Sequence, residues 1–472
     1  MLEFKPYSLA LLKQALPFIK SGPSLCSDLS AGSIFMWQEG SDLQFCFWND
    51  TLVMRQNIGE QPAFSWPVGA DVYGMVDELI KYVRENNLAL RFYEIDDKTL
   101  RIIENDCRLQ PAMSEYEIRW SDYIYSFEEA MTFKGNKYKG QRNHINKFKR
   151  LYGEPVIRLF EPEDRAAVIK MLWDYQSEHK DAKRLEKSEI EETEKLLDIC
   201  KELDLYAVCL IIDENIAAFS IGEVVGDMLL IHIEKALTRY EGIYPTMYQS
   251  FVKLVAKQEG RVLAIVNRED DSGDEGLRIS KMQYHPLGRV NKYLVHVNSP
   301  AAKLAQIPDI FRDNIVLTPF RESDKKAYLA ISTDIKNNRY WGYDYREDEY
   351  FPETIDENTF YDFTMTDMRA GDSINFAVRT SPDGDMIGEA ILWNFTADSA
   401  EAGCRIMPEY QRKGYGGAAF RALTDFAEKY LKVRVRARCC IENKPSHRMI
   451  MSSGYEQSHR DSKFYYFNRS VH

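Results

Sequence analysis

The chain has 472 residues, too many for one ordinary hydrophobic core, and a share of one domain per roughly 100 to 200 residues predicts about three units. Its 44% apolar and 28% charged residues match ordinary globular composition, which argues against long low-complexity disorder. A formal net charge of -12 argues against indiscriminate binding to nucleic acid or anionic membrane by the protein as a whole.

Met1 to Lys20 is predicted to form an amphipathic first helix, because Lys13 and Pro17 interrupt the apolar run that a signal peptide needs. No later segment supplies the roughly 20 consecutive apolar residues of a spanning helix, so neither membrane insertion nor a secretory route is expected, and the predicted location is the cytoplasm. The eight cysteines are scattered in apolar runs without C-x-x-C spacing, which predicts reduced thiols and no metal site.

Further along, Lys134, Lys137, Lys139, Arg142, Lys147, Lys149 and Arg150 form a basic run interleaved with Tyr138, His144 and Phe148. It reads either as a solvated helix face or as a grip, over residues 134-150, on an RNA acceptor stem such as that of a tRNA or on another phosphate-rich ligand. A break near Leu151 to Pro155 precedes the strand Pro155 to Phe160 and divides the N-terminal region into units 1-152 and 153-297. In the second unit come a strand Met228 to Ile233, a turn Tyr240 to Tyr244, a helix, a strand Val262 to Val266, then Asn267 and a helix toward Tyr284. His232, Glu234, Asn267, Arg268 and Lys281 are expected to line a polar cleft there, with Glu269, Asp270 and Asp271 as further polar residues or loop caps.

The strand Lys292 to Val297 gives way to a linker, 298-312, and a C-terminal domain, 313-472. That domain opens with a strand Asn314 to Pro319, a helical stretch Ser323 to Ser332, and a hairpin, Ile374 to Arg379 and Met386 to Leu392, around a Pro-Asp-Gly turn. The strand Ala402 to Met407 stops at Pro408 and leads into Gln411 to Gly417, after which Ala419, Leu423, Phe426 and Tyr430 mark one face of a helix. A strand Val433 to Ile441, Asn443, and a short helix from Pro445 to Gly454 complete the order.

A glycine loop between a strand and a helix lets several backbone N-H groups converge on one anion, and the helix dipole reinforces them. Gly414 and Gly416 keep side chains clear of a diphosphate, Arg412 and Lys413 can add positive charge, and Tyr415 and Gly417 complete the loop. The segment Arg405 to Gly417 resembles motif A of the GNAT N-acetyltransferases, and Asn443 to Ser446 with Ser453-Gly454-Tyr455 is similar to the ending of the ribosomal-protein N-acetyltransferase subgroup. The resemblance covers about Arg312 to His472. It implies acetyl-CoA as acyl donor, with the backbone around Ile406 on the thioester and pantetheine, Arg412 to Gly417 on the pyrophosphate, and Asn443 on the pantetheine arm.

Transfer to an amine needs a proton acceptor and a proton for the leaving thiolate. Glu401 and Glu389 are the candidate bases because both lie on strands bordering the expected cleft, and Ser446 or a water is the candidate acid because Ile450 stands where relatives place a tyrosine. Arg434, Arg436 and Arg438 alternate on one strand face, either toward solvent or toward a phosphate or acidic substrate.

Lys134 to Phe148, Ile231 to Ala236, Asn267 to Gly273 and Leu277 to Pro286 together resemble the DUF2156 family, similar to the C-terminal domain of phosphatidylglycerol lysyltransferases, over about Met1 to Val297. That resemblance implies a tandem GNAT-like fold. The expected class is therefore α+β, with three mixed-sheet units. The turn at Gly242 parallels the one at Gly414 but lacks the second glycine and carries Pro245, so CoA binding is not expected there.

Three readings follow. The first is an acetyl-CoA-dependent N-acyltransferase acting on a small-molecule or peptide amine. The second is an aminoacyl-tRNA-dependent transferase working through the N-terminal module. The third is a non-catalytic CoA-responsive interaction protein. The sequence assigns no oligomeric state.

Overall fold

In the computed structural model of the protein, residues 2-469 are described except 23, 39-40, 179-186, 305, 348-350 and 353. Met1 of the predicted first helix and residues 470-472 of the predicted last domain thus lie outside the described residues. The first helix is Leu9–Ser21, entered at Ser8, whose hydroxyl accepts from the Leu11 N-H at 3.3 Å. Its buried face is Leu12, Ala15 and Ile19, the spacing that the amphipathic pattern demands.

The strands assemble into three mixed sheets, as the α+β class requires. The first runs in the order Lys5–Pro6, Gln44–Trp48, Thr51–Ile58, Gln61–Phe64, Leu90–Ile95, Tyr293–Val297, Ala112–Glu115. The second is Gly288–Val290, Asp122–Ser126, Ile265–Asn267, Met228–Ala236, Asn215–Val225, Leu205–Ile212, Val156–Leu159. The third is Ile310–Arg312, Ile315–Thr318, Ser373–Arg379, Gly388–Trp393, Ser399–Ile406, Arg434–Cys440, Phe464–Arg469, Tyr455–Arg460.

Each sheet contains one parallel pair among antiparallel neighbours, and in each case one α-helix crosses between the paired strands. The crossing helices are Val72–Glu85, Ile243–Glu259 and Tyr415–Phe426. A parallel pair requires such a crossover, so the same architecture recurs three times.

The unit boundaries differ from the expected ones. The chain enters the second sheet already at Asp122–Ser126, and the basic helix Lys139–Tyr152 packs on that unit through Ile145 and Phe148, so the division at 152/153 cuts through one core. Tyr293–Val297 then returns to the first sheet between Leu90–Ile95 and Ala112–Glu115. The predicted linker is also structural, since Ala301, Leu304 and Ile307 pack into the third core and Ile310–Arg312 is that sheet's edge strand.

The first two units share one hydrophobic core, in which Leu12, Phe45 and Met54 meet Leu172, Leu196 and Phe219. Packing of the first unit against the third includes polar contacts: Asp372 Oδ1 lies 2.9 Å from His296 Nε2 and 3.8 Å from Arg91 Nη1, and Arg369 reaches Glu115 at 3.1 Å.

Two local expectations shift. Tyr430 is 69% exposed rather than on the buried helical face, because Ala427–Leu431 widens into a π turn that brings Leu431 inward instead. The strand expected over Val262 to Val266 is only Ile265–Asn267.

Candidate functional site

Three crossing helices present three N-termini, and their surroundings decide which accepts an anion. At Val72–Glu85 the Asp71 carboxylate already caps the helix, accepting from the Gly74 N-H at 3.0 Å. At Ile243–Glu259 the turn is covered: a Cβ built on Gly242 would fall 2.3 Å from the His144 carbonyl oxygen, and the Glu241 N-H is taken by Tyr152 Oη at 3.3 Å. At Tyr415–Phe426 no side chain caps the helix, and a Cβ on Gly414 would meet nothing within 4 Å. Gly414 has φ 85°, the left-handed conformation that glycine adopts without steric cost. The third N-terminus alone among them is uncapped and open.

This open end lies where two strands part. Ser399–Ile406 pairs in parallel with Arg434–Cys440 only from Ser399/Arg434 to Glu401/Arg436. Beyond that point both strands continue unpaired with each other, so a gap widens toward the glycine loop. Hydrogen bonding alternates along the strand, and the Met407 N-H goes to Ile387 O on the antiparallel side, which turns the Cys404 and Ile406 N-H groups into the gap.

The Ile406 carbonyl, by contrast, is occupied. It accepts from Gln411 Nε2 at 2.9 Å and Asn337 Nδ2 at 3.2 Å, contacts that fix the strand's exit into the loop. Arg412 and Lys413 are exposed at the loop's rim, with Lys413 over the Tyr410 ring at 5.2 Å. Gly416 and Gly417 lie in the first turn, and a Cβ at Gly416 would already touch Met449 Sδ at 3.5 Å. Larger side chains there would fill the approach.

Asn443 acts first as a helix cap, its Oδ1 accepting from the Ser446 N-H at 3.2 Å at the start of Lys444–Ser452. Ser446 stands one turn before Met449 on the same helical face, the face that meets Gly416. Ile450 belongs to the hydrophobic core, so the position of the missing tyrosine carries packing alone.

The two candidate carboxylates differ. Ala400 and Ala402 join the core beneath the Tyr415–Phe426 helix, so Glu401 and Arg405 project from the opposite face of the sheet. Glu389, on the neighbouring strand, is 1% exposed and fully engaged: Oε1 accepts from Tyr328 Oη at 3.0 Å and Asn375 Nδ2 at 2.6 Å, and Oε2 from Arg405 Nε at 2.7 Å. Arg405 is held in turn by Asn338 Oδ1 and Ser332 Oγ and lies over Trp341. Glu389 is thus held by a buried ion pair through Oε2 and by two neutral donors through Oε1, whereas the other candidate base, Glu401, is less fully engaged.

Glu401 sits at the vertex where the strands part. Its Oε2 accepts from Asn394 Nδ2 at 3.2 Å, while Oε1 lies 2.8 Å from Arg438 Nε without an aligned hydrogen bond. Burial raises its carboxyl above the ordinary value against the lowering pull of Arg438 and Asn394, and Glu60 adds to the rise. The three arginines of the Arg434–Cys440 strand are each partnered: Arg434 with Asp398, Arg436 with the Asn394 carbonyl, Arg438 with Glu60 and Glu401.

In the second unit the equivalent split is bridged. His232 Nδ1 meets Glu269 Oε1 at 2.8 Å and Nε2 meets Glu223 Oε1 at 3.1 Å, and the Gly32 N-H also donates to Glu223. Burial opposes a charged His232, but the hydrogen bonds of Glu223 and Glu269 prevail and raise its pKa to about 10. Arg268 pairs with Glu234 at 3.0 Å and lies against Tyr125, Tyr248 and Tyr284. Lys281 Nζ donates to the carbonyls of Arg268, Glu269 and Asp270, and burial lowers its pKa to about 8. Asn267 Nδ2 donates to Asp122 Oδ2 and Leu25 O, both at 2.9 Å. All five expected residues thus join one buried network. Buried polar atoms without a hydrogen-bond partner remain inside it, namely Arg268 Nη1, Glu234 Oε2, Tyr248 Oη and Glu223 Oε2.

Sequence reading missed Glu223, Asp122, Asn394 and Glu60. Glu60 meets Arg438 across 378 positions, and no local pattern marks such a contact. The basic run is partly neutralised by Glu129 at Lys137, Glu241 at Lys147 and Glu154 at Lys149. Among the described residues no group of three or more His, Cys, Asp or Glu side chains is placed to hold a metal, and no helix is long and apolar enough to cross a membrane.

Comparison with known proteins follows the same division of the chain. An uncharacterized protein of Mycoplasmoides gallisepticum is 23% identical over 226 residues, 47% of this chain and 70% of that protein. A solved protein of unknown function from Bacteroides thetaiotaomicron is 25% identical, covers 63% of this chain and 100% of its own, and superposes with a TM-score of 0.57. The L-PGS structure from Bacillus licheniformis is 14% identical over 62% of this chain and 92% of its own, with a TM-score of 0.44. The family described as phosphatidylglycerol lysyltransferase, C-terminal, matches residues 23–296, and the acetyltransferase (GNAT) domain family matches 314–456. With more than half its length matched by the first of these, the chain belongs to the phosphatidylglycerol lysyltransferase C-terminal family and carries in addition a GNAT acyltransferase domain.

Proposed function

We propose that the C-terminal domain is an acyl-CoA-dependent N-acyltransferase that moves an acetyl group from acetyl-CoA to an amine of a small molecule or peptide. The observation that carries this reading is the open, uncapped N-terminus of Tyr415–Phe426 at the mouth of a split parallel pair, where its two counterparts are capped or covered. The N-H groups at Gly414 to Gly417, with Arg412 and Lys413, would hold the diphosphate, and the backbone at Cys404 and Ile406 would flank the pantetheine. When bound, acetyl-CoA supplies the activated carbonyl. Glu401, buried and with Oε1 lacking an aligned donor, accepts the proton from the amine directly or through water. Ser446, on the face of its helix that meets Gly416, or a water beside it, returns a proton to the departing thiolate.

Isothermal titration with acetyl-CoA tests the donor assignment. Binding by the wild type, abolished in Gly416→Glu, is expected; absence of binding, or equal binding by the variant, would sink it. Thiol release with an amine acceptor then separates an enzyme from a CoA-responsive interaction protein.

A second reading is favoured by the unpartnered atoms of Arg268, Glu234 and Tyr248, which suit a polar ligand in the second unit. It is aminoacyl transfer from tRNA through the N-terminal module. A panel of charged tRNAs checks it: no transfer of label to any acceptor, with unchanged affinity after Arg268→Gln, would rule it out.

A further inference from the structure

The hairpin that joins Thr51–Ile58 to Gln61–Phe64 carries Glu60 at its tip and reaches out of the first unit onto the third. There Glu60 enters a closed ring of four side chains. Its Oε1 accepts from Arg438 Nη2 at 2.7 Å; Arg438 Nε lies 2.8 Å from Glu401 Oε1; Glu401 Oε2 accepts from Asn394 Nδ2 at 3.2 Å; and the same Nδ2 reaches Glu60 Oε2 at 3.3 Å. Gln61 secures the hairpin by donating to Asn394 Oδ1. Two carboxylates share one guanidinium and one amide, and Arg436, which donates to the Asn394 carbonyl at 3.1 Å, sets a second positive charge beside Glu401, so that the exposed Glu60 carboxylate carries the negative charge on the water side.

The position of this ring gives it chemical meaning. It stands at the vertex of the split between Ser399–Ile406 and Arg434–Cys440, on the face opposite the Tyr415–Phe426 helix. The diphosphate loop marks the wide end of the gap, so the vertex is where the reacting end of a donor threaded through it would arrive. Within the ring, Glu401 is 5% exposed whereas the Glu60 side chain is 55% exposed. One carboxylate is buried beside the reaction and the other faces water.

We propose that Glu60 is a positioning residue supplied by the N-terminal module to the C-terminal acyltransferase. By drawing Arg438 Nη2 toward itself it leaves Glu401 Oε1 in ion-pair contact with Arg438 Nε but without an aligned donor, so that Oε1 can accept a proton from a cationic amine that the exposed Glu60 carboxylate attracts. The acceptor site is then complete only when the hairpin is docked, and the acceptor class is an amine that arrives protonated. This rests on the donor reading given above.

The test uses the full-length chain with Glu60→Gln and Glu60→Asp, residue 60 being exposed enough for both to fold. Acetyl-CoA binding is measured by calorimetry. Thiol release is measured with whichever of lysine amide, 1,4-diaminobutane and a free-N-terminal hexapeptide gives the highest kcat/KM. Glu401 is titrated by carboxyl 13C NMR, assigned with Glu401→Gln. In Glu60→Gln the expected result is CoA affinity within about twofold of wild type, an acceptor KM raised roughly five- to tenfold, and a Glu401 midpoint and acid limb of the pH profile moved to lower pH. Glu60→Asp, which keeps the charge, is expected to lie closer to wild type. An unmoved Glu401 midpoint, or an unmoved acceptor KM, with normal CoA binding overturns the role of Glu60 alone. A wild-type chain that binds no CoA overturns the donor reading and this proposal with it.

Discussion

Gly242 and His144 are in contact so close that no side chain fits between them: a Cβ on Gly242 would lie 2.3 Å from the His144 carbonyl oxygen. The helix bearing His144 thus occupies the approach to the second unit's crossing helix, the approach that stands open at Gly414 in the third. Two turns of similar sequence have opposite fates because of what packs on them.

Reciprocal effects are expected from one substitution at each turn. Gly242→Ala forces the Lys139–Tyr152 helix to move and should lower the melting temperature by several degrees while leaving acetyl-CoA affinity within about twofold. Gly414→Ala strains a left-handed residue, at about 1 to 2 kcal/mol, and disturbs the loop's N-H groups, so acetyl-CoA affinity should fall about tenfold or more. Thermal melts and calorimetry on the same samples decide both.

The carboxylates Glu389 and Glu401 are expected to separate stability from rate. Removing the charge in Glu389→Gln leaves Arg405 buried without its counter-ion and should cost roughly 3 to 5 kcal/mol by denaturant titration. Glu401→Gln should retain CoA binding and fold, and lose the acid limb of the pH-rate profile with about a hundredfold lower kcat. A large rate defect in Glu389→Gln without loss of stability would return Glu389 to the reacting group.

Stability should depend on pH through His232. Its folded pKa of about 10 lies above the ordinary value of 6.5, so the folded chain binds the extra proton between these limits. The contribution is fully present below pH 6.5 and is lost as the pH rises toward 10, on the order of a few kcal/mol. Denaturant unfolding at pH 6, 8 and 10 reads this slope, and His232→Gln should flatten it.

The basic segment 134-150 is expected to contribute little to RNA binding through Lys147 and Lys149, because Glu241 and Glu154 accompany their charges. In Lys147→Gln/Lys149→Gln, the salt dependence of tRNA affinity should change by less than about one ion. A change near two would mean that both lysines contact phosphate.

Much of the C-terminal domain was legible because its signals are local. The strand stopped by Pro408, the glycine pair at 414 and 416, and the apolar spacing of Ala419, Leu423 and Phe426 lie within 20 residues of one another, and backbone sterics with helical periodicity suffice to read them. The local pattern failed once through a local change of helical pitch and once through neighbours distant in the chain. Tyr430 follows the helical spacing, yet the π turn rotates it outward; Glu389 looks like any strand carboxylate, yet Tyr328, Asn375 and Arg405 close around it.

The sequence by itself determined the three-unit class, the glycine loop from Gln411 to Gly417 between its strand and helix, and the polar residues that gather around His232, since each rests on short-range spacing or on several separated phrases of family likeness. Only the tertiary structure decided that Gly242 is covered while Gly414 is open, and that Glu60 meets Glu401 through Arg438 and Asn394. Those outcomes depend on which surfaces pack together, and burial and electrostatics act between residues that are neighbours in space alone.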